Sequence, residues 1–99
     1  MKFGLSNSEY EFLMSHLVAP LKEQGAHVFL FGSRATGKHR PFSDIDLLFT
    51  PSPQLTNAEV FRLLSTMEES SFPYKVDLVN EHELAHSYRD SVDKDKIEL

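Results

Sequence analysis

A chain of 99 residues with 40% hydrophobic side chains, eight Phe among them, can build one packed core but leaves no room for a second, substrate-binding domain. The absence of cysteine excludes a disulfide framework, a thiolate zinc site and a cysteine nucleophile, and the formal charge of -5 disfavours a long DNA or RNA partner, because such binding rests on Lys and Arg displacing counterions. No apolar run approaches the roughly 18 residues of a membrane span, and the Met1-Lys2-Phe3 start lacks the apolar segment of a signal peptide, so a cytoplasmic protein that engages no membrane is expected.

In chain order, Phe12, Leu13, Leu17, Val18 and Leu21 recur at helical spacing between Ser8 and Gln24, with Ser6, Asn7 or Ser8 as N-cap and Gly25 as stop; Pro20 should bend this helix. His27-Val28-Phe29-Leu30-Phe31 is a short apolar run closed by Gly32 and reads as a buried strand. Asp44 to Phe49 reads as a second strand, ended by Pro51-Ser52-Pro53. Thr56 to Glu69 carries Val60, Phe61, Leu63, Leu64 and Met67 at helical spacing behind a Thr56 or Asn57 cap. Beyond Pro73, Tyr74 to Val79 forms a third strand, and the polar remainder from Glu81 predicts one weak helix and an end, residues 87–99, that frays or contacts a partner. The whole chain, 1–99, reads as a single α/β unit without internal repeats.

Chemistry concentrates where these elements end. Gly32-Ser33 follows the first strand, where a glycine permits a sharp turn and close approach of a phosphate, and Ser33 offers both an amide and a hydroxyl donor. In Asp44-Ile45-Asp46 the alternation of a strand puts both carboxylates on one face. Two adjacent anions repel and raise each other's pKa, which makes most sense around a divalent cation, with magnesium the natural guest. Asp77 sits within the apolar Val76-Asp77-Leu78-Val79 run, where a charge needs a partner. If the third strand lies beside the second, Asp44, Asp46 and Asp77 can hold two magnesium ions around an in-line phosphoryl displacement. Asp77 would then also favour or accept a hydroxyl proton. Arg34, Lys38, His39 and Arg40 form a local positive cluster that could meet the triphosphate.

Gly32-Ser33-Arg34-Ala35-x-Gly37, a ten-residue spacer from Ser33 to Asp44-x-Asp46, and a strand-borne Asp77 together resemble the polymerase-beta nucleotidyltransferase superfamily, and within it the minimal nucleotidyltransferases. The resemblance covers about residues 28–79. It implies a single small α/β (α+β) domain with a mixed sheet flanked by helices. It further implies catalytic and metal-binding roles for Asp44, Asp46 and Asp77, nucleotide binding by Gly32, Ser33, Arg34 and Lys38, and ATP with magnesium as substrate and cofactor. Such proteins resemble antitoxins that transfer AMP to a tyrosine of a helical HEPN-type toxin, so a partner chain supplying the acceptor is expected here.

Three rivals stand beside that reading. Gly32-x-x-x-x-Gly37-Lys38 is one residue short of a P-loop, with His39 in place of the magnesium-binding hydroxyl and Pro41 interrupting the required helix. His82-Glu83-Leu84-Ala85-His86 matches the zinc-protease pattern and, on a helix, would bring both imidazoles to one face; a polar surface helix is the preferred reading. A non-catalytic module that only masks its partner would retain the same carboxylates.

Overall fold

The computed structural model describes residues 2–99. Its first regular elements are helix α1 (Asn7–Leu13), a π-helical segment (Met14–Val18) and α2 (Ala19–Glu23). Ser6 caps α1 through a reciprocal box: its hydroxyl accepts from the Glu9 amide and the Glu9 carboxylate accepts from the Ser6 amide at 2.8 Å. The bend expected at Pro20 takes the form of the π segment. Pro20 has no amide proton to give His16, and its ring would crowd that carbonyl, so the helix widens by one residue ahead of it, with the Ala19 amide donating to Met14.

Strand β1 (Val28–Phe31), the short helix α3 (Ser33–Thr36), β2 (Ile45–Phe49), α4 (Asn57–Glu69) and β3 (Val76–Asn80) follow. A 3-10 turn (Glu81–Glu83), helix α5 (His86–Asp95) and β4 (Ile97–Glu98) complete the order. The sheet runs β3-β2-β1-β4 and is mixed: β1 pairs antiparallel with β2 and β4, while β2 and β3 are parallel, joined through α4. The expected α+β fold with a mixed sheet and flanking helices is what forms.

Alternation along the strands sorts the sheet into two faces. Val28, Leu30, Ile45, Leu47 and Phe49 point into the main core, where Leu13, Leu17, Val18 and Leu21 from the first helices and Leu63 and Met67 from α4 close over them. On the other face the register lines up two rows across β1, β2 and β3: Phe29, Leu48 and Val79, then Phe31, Asp46 and Asp77. Lys96, just after α5, lies over the Phe29 ring at 4.6 Å, and both Leu48 and Val92 of α5 are buried. The first row is thus covered and the second is not.

Residues 97–99 pair with the sheet. Ile97 and Glu98 extend the sheet beside β1, the Leu99 amide donates to Val28 at 2.9 Å, and Lys22 Nζ donates to the Leu99 carbonyl at 3.0 Å. Most of this pairing is made by backbone groups, which side-chain composition does not report. Among the described residues no helix is long and apolar enough to cross a membrane.

Candidate active site

At the end of β1 the chain turns at Gly32, whose φ of 76° and ψ of -156° lie in a region that only glycine occupies without strain. A β-carbon there would press directly against Asp46 Oδ2, so a second reason for glycine is the carboxylate packed on its backbone. Ser33 opens α3 directly after this turn, and among the described residues its hydroxyl takes part in no hydrogen bond. Gly37, at φ 78°, ends the helix, and the Lys38 amide donates back to Ser33 at 2.9 Å.

Asp46 on β2 and Asp77 on β3 stand opposite each other in the parallel register, on the uncovered row. Asp44 lies just before β2 and is exposed; the strand begins one residue later than the sequence suggested. Burial, and then the Asp77 and Asp44 charges, hold the Asp46 carboxyl above its ordinary range, with Lys75 opposing them. Asp46 thus feels both of the other carboxylates. Carboxylate oxygens are the hard donors that magnesium takes, but among the described residues no group of three or more His, Asp or Glu side chains is placed so as to hold a metal ion. Lys75 supplies the counter-charge instead, with Nζ 3.5 Å from Asp77 Oδ1.

Residues 18–99 match the family model described as polymerase beta, nucleotidyltransferase. The chain belongs to the polymerase beta nucleotidyltransferase family. Over 67 residues, 68% of this chain, it is 33% identical to the "Probable protein adenylyltransferase MntA" of Haemophilus influenzae (strain ATCC 51907 / DSM 11121 / KW20 / Rd). The match spans 59% of that relative's length. A solved structure assigned as a minimal nucleotidyltransferase superposes with a TM-score of 0.74 at 29% identity, covering 97% of this chain and 98% of the other. A toxin–antitoxin crystal structure with AMP-PNP shares the fold at a TM-score of 0.64 and 22% identity, covering 85% of this chain and 69% of the other.

Within this nucleotidyltransferase domain the four residues assigned to the nucleotide separate. Gly32 lies against Asp46 with Ser33 next in the chain, and Lys38 is exposed one turn away with no ion pair among the described residues. Arg34 points elsewhere. It is 3% exposed, and its guanidinium donates to the Ser43 carbonyl from Nε (3.1 Å) and Nη2 (2.7 Å) and to the Phe3 carbonyl from Nη1 (2.8 Å). It also stacks on the Tyr74 ring at 4.6 Å. With these three donors engaged inside the protein, Arg34 ties down the loop that carries Asp44.

Sequence reasoning passed over Lys75. The signal was present, because strand positions 75 and 77 share a face. The two rival motifs dissolve in the fold. α3 spans four residues and stops at Gly37, so no P-loop helix follows Lys38. His82 lies in the 3-10 turn, Leu84 and Ala85 are extended, and His86 starts α5, so the two imidazoles do not share a helical face. The surface helix expected there begins only at His86.

Proposed function

We propose that this chain transfers a nucleoside monophosphate, AMP from ATP, to a hydroxyl of a partner protein, a tyrosine of a helical HEPN-type toxin, and thereby acts as its antitoxin. The observation that carries the reading is the Asp46–Asp77 pair, in register on parallel strands and uncovered, with Gly32 pressed against Asp46 and Ser33, its hydroxyl unengaged, next in the chain. The name of the Haemophilus influenzae relative and the toxin–antitoxin neighbour point the same way.

In this scheme Ser33 donates to the triphosphate oxygens through its amide and hydroxyl, and the Gly32 backbone lets them approach the carboxylates without a side chain between. Lys38 offsets charge on the outer phosphates. Asp44 and Asp46, with Asp77, would hold magnesium, which when bound neutralises charge on the phosphates and the leaving pyrophosphate. The acceptor hydroxyl oxygen forms its bond to the α-phosphorus as the bond from that phosphorus to the bridging oxygen breaks. Pyrophosphate leaves with the electron pair, and the hydroxyl proton passes to the Asp77 carboxylate. Lys75, with its Nζ 3.5 Å from Asp77 Oδ1, would offset negative charge beside that carboxylate. Arg34 holds Ser43, and with it the start of the Asp44-x-Asp46 segment, in place.

Intact mass spectrometry of a HEPN-type partner, after incubation with this chain, ATP and magnesium, tests the reading. A gain of one or more AMP units is expected with the native chain. With Asp44→Asn/Asp46→Asn the rate should fall by about three orders of magnitude, in line with the loss of charge stabilisation at a phosphoryl site. A complex that forms with no mass gain in either sample would leave masking alone as the activity.

A further inference from the structure

Phe42 is placed at a cost that the fold does not recover. Arg40, Pro41, Phe42 and Ser43 form a tight turn in which the Ser43 amide donates to the Arg40 carbonyl at 3.1 Å and the Arg40 amide donates to Ser43 Oγ at 2.8 Å. Proline takes the second position and Phe42 the third, at φ 67°, where turns of this kind favour glycine or asparagine. A β-carbon in that left-handed conformation crowds the following carbonyl. The ring gains nothing by burial to offset this, since Phe42 is 80% exposed.

Its surroundings have a distinct charge. Residues 24–43 contain no Asp or Glu in a chain with 15 of them, and among the described residues Lys38, His39 and Arg40 enter no ion pair. A cleft of 310 Å³ opens here, bounded by Gly4, Arg34, His39, Arg40, Phe42 and Tyr74, and His39 Nδ1 is buried in this region without a hydrogen bond. None of these residues belongs to the Phe31–Asp46–Asp77 row. Tyr74 instead packs on the main core, on the opposite face of the sheet. A nucleotide on the carboxylates would leave this cleft free, whereas a protein seated across the Ser43–Asp44 end of the sheet could reach both.

We propose that Phe42, with Arg40 and His39, is the docking surface for an acidic segment of the acceptor protein, an apolar residue flanked by Asp or Glu seating against the ring. Charge complementarity selects the partner, and the turn presents the ring two residues ahead of Asp44. Calling that partner the acceptor rests on the proposed transfer; the docking surface itself does not.

Phe42→Gly is the informative variant, because relief of the left-handed strain lets it fold at least as well as the native chain, with a Tm unchanged or raised by up to about 4 °C. The probe is a fluorescent poly(Glu,Tyr) copolymer, acidic and hydroxyl-bearing, titrated without nucleotide at about 0.15 M salt, with poly(Lys,Tyr) as control. The native chain should bind the acidic copolymer and not the basic one, and Phe42→Gly should weaken binding about tenfold while the Kd for ATP is unchanged. Copolymer binding indifferent to Phe42→Gly overturns the proposal, as does a lowered Tm, which would give the ring a role in the fold. A parallel loss of ATP affinity also overturns it, making Phe42 a base-stacking platform. A native chain that binds the copolymer but neither binds ATP nor transfers AMP from it would sink the transfer reading and leave docking intact.

Discussion

Leu47 and Asp46 are adjacent on β2 and face opposite sides of the sheet. Leu47 meets the first helices and α4 and is wholly buried; Asp46 looks onto a row left open, where partial burial and then the neighbouring carboxylates lift its pKa. One face is built for packing and the other accepts electrostatic strain, and the same strand must serve both because its side chains alternate. On the open face itself the contrast repeats within two residues. Leu48 lies in a row that α5 and Lys96 cover, and two positions earlier the cover ends.

Substitutions on either side of β2 sharpen this contrast. Leu47→Ala should cost about 3 kcal/mol, lowering Tm by roughly 12 °C or more, with loss of transfer only in proportion to loss of folded protein; urea and thermal unfolding measure it. Arg34→Gln, which strips the clamp joining Phe3, Ser43 and Tyr74, should cost about 2 kcal/mol by leaving buried carbonyls without donors. Amide exchange should quicken most in residues 40–44, and Arg34→Lys should not restore protection, because an ammonium lacks the planar fork. A uniform acceleration across the sheet would count against a local clamp.

The smallest effect has the opposite sign. Because the folded state holds the Asp46 proton more tightly than the unfolded chain, ionising this carboxyl weakens the fold. Its contribution is fully present below the ordinary Asp pKa and is lost as pH rises through the raised one. Asp46→Asn should therefore be the more stable protein at pH 7 without metal, by no more than about 4 °C given solvent screening, and the difference should vanish toward pH 4. Tm measured across that range decides it; a gap that persists in acid would mean that packing, not charge, was at work.

Periodicity made β1, β2, β3 and α4 legible, since each carries its apolar residues at the spacing of its own geometry. The site was legible in part for the same reason: Asp46 and Asp77 stood out as charges in apolar runs, and Gly32-Ser33 as a break after one. Three features were not. β4 is two residues long and half polar, and its place beside β1 comes from backbone pairing together with the His27–Glu98 contact and Leu99 packed on the core, none of which its own sequence announces. The π segment answers a proline whose effect is felt upstream of where it stands. Arg34 looked like one cation in a cluster of four, and only its burial against two carbonyls and a ring separates it from Lys38 and Arg40.

The parallel pairing of β2 with β3 has a consequence for time as well as shape. The β1–β2 ladder can zip locally, bringing Gly32 against Asp46, but Asp77 arrives only once α4 has crossed over and the edge strand has docked, a non-local and slow kind of contact. The carboxylate pair is thus among the last things folding completes. β3 has a neighbour on one side only, so it is also among the first that a fluctuation can release, uncoupling the chemistry while the core of the domain stays folded.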